Sequence, residues 1–401
     1  MISKLKFVLQ LLCTGMTELF INPFATRLVV PLPPSASSLA FHRKMPGYEP
    51  TPLMQAPALA TQCGVGSVSL KLETVRFGLP SFKILGASYA IYSILKRRYG
   101  IKDTQWSNIE QLTNRAQRLG SILFVAATDG NHGRAVARMA RMIKMPARIY
   151  VPAGTTKARI DAIQQDEAEV RVVDGDYDEA VQRAAKDPRR GIVLVQDTSW
   201  PGYQEIPRHV VEGYSTLFQE MDSACEDGTV PQPDIVLLPL GVGSMAEAAV
   251  RFYRRPSPAP RPLLIGYEPV SAACALASVR AGHRVSLPHS NSSIMAGLNC
   301  GTLSLNSWPC IMRGMDAFLT LDDRHAIEGM RTLASLGIRT SETGGACAGA
   351  LSALFEDQFA AERKALGITA SSKILLIVTE GITDPAAYIS ITSKNNTSQP
   401  D

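Results

Sequence analysis

Aromatic residues make up only 6% of this 401-residue chain, and three of them are tryptophans. No run interleaves them with basic side chains in the manner of a nucleic-acid groove. Charge of one sign is also scarce: 41 lysines and arginines stand against 36 acids, a net charge of +5. The basic residues are scattered apart from K-R-R at 96–98 and R-F-Y-R-R at 251–255, so nucleic acid is not an expected partner. The seven cysteines are widely spaced, with no C-x-x-C and no paired histidines near them. That excludes a zinc module or a disulfide framework and reads as buried thiols of a reducing, cytoplasmic compartment, with no metal expected. Long apolar runs are missing too. F-V-L-Q-L-L-C at 7–13, behind Lys4 and Lys6, only weakly imitates a leader, and Glu18 and Arg27 interrupt the chain beyond it. No membrane association is expected.

The chain is 45% hydrophobic and 19% charged, which suits two globular domains with ample core. Residues 1–40, ending in the linker P-L-P-P-S-A-S-S at 31–38, read as a loosely packed or poorly ordered extension. Beyond them, short apolar runs alternate with helical periods of about a dozen residues. The runs lie at 67–73, 121–128, 147–152, 169–174, 191–197, 234–240, 263–269 and 373–379. This alternation predicts an α/β protein with parallel, doubly wound sheets. The turn-rich stretch E-D-G-T-V-P-Q-P at 226–233 marks a domain crossover. The expected division is a large domain from 41–115 and 226–394, a small α/β domain from 116–225, and a disordered tail at 395–401.

The chemistry concentrates at strand ends. In R-F-G-L-P-S-F-K-I-L-G-A-S-Y-A (76–90), Lys83 falls at the mouth of a helix among Phe82, Ile84 and Leu85. The positive helix end and the apolar neighbours favour its neutral amine, a nucleophile toward aldehydes such as pyridoxal phosphate. Taken alone, the same lysine also fits a side chain reaching solvent from a buried helix. D-G-N-H-G at 129–133 puts Asp129, Asn131 and His132 at the C-terminal end of a strand, where open α/β sheets bind ligands. Asp129 suits a base or a cation partner there, and Asn131 a neutral donor; a helix cap and a packed core histidine remain open alternatives. G-V-G-S (Gly241, Val242, Gly243, Ser244) is a turn that lets backbone N–H groups approach a phosphate, but lacks the G-K-[ST] of a Walker loop and the third glycine of a dinucleotide fingerprint. T-G-G-A-C-A-G-A at 343–350 serves either a ligand or close packing. Asp197 and Thr379 end two further strands, Thr379 with a neutral hydroxyl suited to face a ring nitrogen.

In this order these motifs, together with Y-E-P-T-P-L (48–53), D-T-S-W-P-G-Y (197–203), S-E-T-G-G-A-C-A-G (341–349) and T-E-G-I-T-D-P (379–385), resemble the tryptophan synthase β family of pyridoxal phosphate enzymes, fold type II, and within it the diaminopropionate ammonia-lyase group. The resemblance covers Phe41 to about Tyr388. It implies that Lys83 holds the cofactor aldehyde, that Gly241 to Ser244 hold its phosphate, that Asn131 lies beside the ring hydroxyl and that Thr379 faces the ring nitrogen. Asp129 and Asp197 match acidic positions of the ammonia-lyases, whereas relatives acting on serine or threonine resemble S-x-G-N at the Asp129 turn. The implied reaction is elimination of ammonia from 2,3-diaminopropionate to pyruvate and ammonia, with Lys83 or Asp129 taking the α-proton; the alternatives are a serine or threonine dehydratase and a non-catalytic relative. A small amino acid and a second copy of the chain, as a homodimer, are the implied partners. The sequence departs from the family pattern at Leu72 and at Pro80 and Ser81, close to Lys83.

Overall fold

Runs such as I-V-L-L-P and L-F-V-A-A have no polar face to turn toward water, and they form strands because both of their faces are covered. The computed structural model describes residues 16–26, 36–128, 130–175, 177–187, 191–256, 261–287 and 293–393. Among these the strands are β1 (Leu19–Ile21), β2 (Leu53–Gln55), β3 (Ser67–Leu72), β4 (Leu123–Ala127), β5 (Ala147–Pro152), β6 (Glu169–Val173), β7 (Ile192–Leu194), β8 (Ile235–Pro239), β9 (Leu263–Pro269), β10 (Ala317–Leu321) and β11 (Lys373–Val378). They form a seven-stranded sheet, ordered β1-β10-β9-β8-β11-β3-β2, and a four-stranded sheet, ordered β6-β5-β4-β7. Every pairing is parallel except at the two edges of the large sheet, β1 with β10 and β2 with β3.

The helices that position the site are α1 (Ala36–His42), α2 (Lys83–Tyr99), α3 (Asn131–Met142), α4 (Glu205–Glu226), α5 (Ser244–Tyr253), α6 (Cys274–Ala281), α7 (Asp323–Ser335) and α8 (Glu342–Leu354). Helix α2 is buried from Ile84 to Leu95 because it is covered by α4 on one side and α3 on the other. One continuous core therefore runs from Phe124 and Ile149 of the small sheet through Ile84, Leu85, Tyr214 and Leu217 to Val236 of the large one. All but the last residue of helix α4 falls between 116 and 225 in the sequence, yet the helix packs along α2 and α5.

Two features differ from the expectation for residues 1–40. Residues 16–26 are not loosely packed: β1 adds an antiparallel edge to β10, with Leu19 buried, and the Glu18 carboxylate pairs with Arg280. Three residues of strand carry too little periodicity to be seen in sequence. Helix α1 begins within the stretch read as linker and buries His42 against α2 and α4. Residues 1–15 and the expected tail at 395–401 lie outside the described residues.

A buried ionic network ties the approach to Lys83 to the helix layer. Arg76 donates to Glu73 and Glu220, Lys71 to Glu220 at 2.8 Å and to the Thr51 carbonyl at 2.8 Å, and Tyr48 to Glu220 at 3.0 Å. Charges buried this completely are tolerated only when each is paired and hydrogen-bonded, as here.

Candidate active site

The stretch before α2 is pinned to the end of β11. Gly381 N–H donates to the Pro80 carbonyl at 2.9 Å and Ser81 bridges Glu380. The Ser81 hydroxyl accepts the Lys83 N–H at 3.2 Å, just ahead of the first turn of the helix. This brings Lys83, Thr379 and Glu380 to one cavity although they are nearly 300 positions apart in the chain.

That cavity has a volume of about 530 Å³ and opens between the C-terminal ends of the two parallel sheets. Its lining includes Lys83, Asn131, Asp197, the 241–244 turn, Thr379 and Glu380. The volume lies within the range of small-molecule sites, and the place is the one at which open α/β sheets bind ligands. Asp129 lies outside the described residues.

At its helix mouth Lys83 faces an acid. Its Nζ lies 2.8 Å from Asp197 Oδ2, in a charged pair flanked by the Phe82 ring. Burial alone would raise the Asp197 carboxyl, but the Lys83 ammonium and nearby His132 outweigh it and hold the group down to about 2. Lys83 and Asp197 both stand out in the sequence, but their pairing across 114 positions has no local signal. His132 is buried, its Nε2 lies 2.8 Å from the Val195 carbonyl, and its Nδ1 lies 3.8 Å from Asp197. It is a supporting group behind Asp197.

The turn at 241–244 fits an anion closely. Gly243 has φ +92°, and a Cβ there would lie 2.5 Å from Ile311 Cδ1; only glycine takes this path without strain. Ser244 opens α5, and the first N–H groups of a helix have no partner within it. The Ser244 side chain donates to the Asp197 carbonyl at 2.6 Å, so the turn and the lysine's counter-ion are one unit. Ser304 extends this unit, its N–H donating to the Val242 carbonyl and its hydroxyl bonding Ser199.

Thr379 is buried, and its Oγ1 has no hydrogen-bond partner among the described residues. An unpaired buried hydroxyl on a cavity wall calls for a ligand atom. Asn131, at the start of α3, donates through Nδ2 to the buried Glu380 carboxylate, which also accepts from the Ser341 hydroxyl. Glu380 was not singled out from the sequence, although it lies in T-E-G-I-T-D-P; a glutamate after a strand gives no sign of facing inward. Thr343 lines the cavity, whereas the glycines after it serve packing: a Cβ on Gly329 of α7 would lie 2.1 Å from the Gly345 carbonyl of α8, so the two helices touch backbone to backbone.

A lysine side chain, an anion-gripping turn and an unpaired hydroxyl around a cavity of this size fit a small phosphorylated aldehyde with a ring nitrogen. The comparisons with known proteins agree. The family model for pyridoxal-phosphate dependent enzymes matches residues 44–380. The diaminopropionate ammonia-lyase of Salmonella typhimurium is 36% identical over 364 residues, 87% of this chain and 89% of that protein. A crystal structure of the Escherichia coli diaminopropionate ammonia lyase in complex with D-serine superposes with a TM-score of 0.87 at 33% identity, over 95% of this chain and 98% of that one. Maize serine racemase, at 21% identity and a TM-score of 0.70 over 90% of this chain and 98% of that one, shares the fold.

Proposed function

The chain belongs to the pyridoxal-phosphate dependent enzymes, and from that premise we propose that it eliminates ammonia from 2,3-diaminopropionate, with water giving pyruvate and a second ammonia. The observation that carries the reading is the Lys83–Asp197 pair at 2.8 Å on the cavity wall beside the 241–244 turn. The relatives that match most of the chain supply the substrate, since their names specify it.

When bound, the cofactor supplies an aldehyde that condenses with amines and a conjugated ring that withdraws the electron pair left at the α-carbon. Lys83 would carry the aldehyde, the N–H groups of Gly241 to Ser244 its phosphate, Asn131 the ring hydroxyl and Thr379 the ring nitrogen. Thr379 is neutral and does not enforce a charged ring nitrogen, which favours prompt loss of the β-substituent. The free Lys83 amine would stand ready to take the α-proton. Asp197, ionised at all ordinary pH values, stabilises the resulting ammonium and orients it. The electron pair of the broken C–H bond forms the new C=C bond as the β C–N bond breaks, and the departing nitrogen takes its proton from the lysine or from Asp129. The released enamine then takes up water, gives up the second ammonia and leaves pyruvate.

We further propose a cytoplasmic homodimer; among the described residues no helix is long and apolar enough to cross a membrane. The test of function is keto-acid release from D- and L-diaminopropionate, serine and threonine. Release from diaminopropionate at least about 10²-fold faster, as kcat/KM, supports the reading, and preferential turnover of serine or threonine contradicts it.

A further inference from the structure

Glu380 is buried at the cavity wall and belongs to none of the roles given so far. Its two carboxylate oxygens serve different elements: Oε1 accepts from the Ser341 hydroxyl at the cap of α8, and Oε2 accepts from Asn131 Nδ2 at the start of α3. Its carbonyl accepts from the Thr340 hydroxyl at 2.5 Å, and its backbone bridges Ser81, two residues before Lys83. The side chain thus reaches from the end of β11 in the large sheet to the first residue of the small sheet's helix.

Orientation is the consequence. An asparagine amide has two N–H bonds in one plane and one carbonyl oxygen, and without a partner it turns freely between the two presentations. A carboxylate can only accept, so Glu380 fixes the edge of Asn131 that faces it as the NH₂ edge. The second N–H of that group is thereby left as a donor, and a donor is what the cofactor's ring oxygen needs from Asn131.

We propose that Glu380 is a positioning residue that sets the amide of Asn131 for the cofactor and latches the small sheet to the large one while doing so. This rests on the cofactor assignment and not on the identity of the substrate, so a failed substrate panel leaves it standing. A glutamine at 380 can still accept from Asn131 through its amide oxygen while donating to Ser341, whose hydroxyl accepts as readily as it donates. An alanine can do neither.

The test is a double-mutant cycle read by cofactor affinity and by the absorbance band of the bound cofactor, not by turnover. Glu380→Ala should weaken pyridoxal phosphate binding about tenfold or more and move the absorbance band, and Glu380→Gln should stay within about threefold of the parent. In an Asn131→Ala background, Glu380→Ala should add less than about threefold, because the group it positions is gone. Full additivity of the two losses, or a Glu380→Gln enzyme as impaired as Glu380→Ala, would overturn the proposal, since a merely structural role predicts additivity. If Glu380→Ala does not fold, Glu380→Met, which fills the same volume without a strong acceptor, takes its place in the cycle with the same two outcomes.

Discussion

At the scale of single residues, the site separates groups readable in sequence from groups that only the fold reveals. Lys83, Asn131, Thr379 and the 241–244 turn announce themselves through residue type and strand-end position, and the structure brings them to one cavity. The Lys83–Asp197 ion pair, the Ser244 bond to the Asp197 carbonyl and the inward turn of Glu380 span 47 to 249 positions, and no local pattern encodes them. Asp197→Asn removes the counter-ion without changing the side chain's size. It should lower kcat by about 10²-fold or more while cofactor absorbance is retained, as measured by steady-state kinetics and a spectrum of the same sample. Gly243→Ala forces a Cβ to 2.5 Å from Ile311 at φ +92°. It should weaken cofactor binding and cost about 1–3 kcal/mol of stability, seen as a lower melting temperature of the cofactor-free protein.

Elements were legible in proportion to their length and burial. The buried strands β4, β5, β8, β9 and β11 fall where apolar runs end in glycine, proline or acid. The edge strands β1 and β2 are three residues each and half-buried, so neither alternation nor a continuous run marks them. Strand β10 is fully buried, but its five residues lie between a helix and a capping aspartate with no glycine turn. Helix α1 supplies a prediction at this scale. Its His42 donates from Nε2 to the Leu85 carbonyl at 3.1 Å and bonds the Thr216 hydroxyl through Nδ1 at 2.8 Å, and burial, aided by Arg76, lowers its pKa to about 3. The folded protein therefore binds fewer protons than the unfolded chain between about 3 and 6.5, so His42 costs stability as pH falls through that window. Glu268, which burial pushes up to about 8 although α6 gives it two N–H donors, acts in the opposite sense above about 4.5. The clean observable is the difference between parent and His42→Gln: their stabilities should diverge with a slope of up to about 1.4 kcal/mol per pH unit toward acid, the parent losing more. A second prediction concerns the ionic network beneath the Lys83 approach. Arg76→Leu leaves Glu73 and Glu220 with too little compensation and should cost about 3–5 kcal/mol, read as a fall in the denaturant midpoint.

For the whole molecule, the fold class follows from the alternation of strand and helix, while the placement of the two sheets follows from α2 and α4, whose burial is a tertiary matter. The cavity exists because both parallel sheets direct their C-terminal ends toward it and because Lys83–Asp197, Ser244–Asp197 and Glu380–Asn131 link the two sides. These links join Lys83 and the 241–244 turn into one connected arrangement, which is what the proposed covalent chemistry on a held aldehyde requires. The most direct test is to reduce the purified holoenzyme with borohydride and map the modified peptide. Pyridoxyl should be found on Lys83, stoichiometric with protein, and should be absent from Lys83→Ala; a label on any other lysine, or an unchanged cofactor spectrum in Lys83→Ala, would contradict the account.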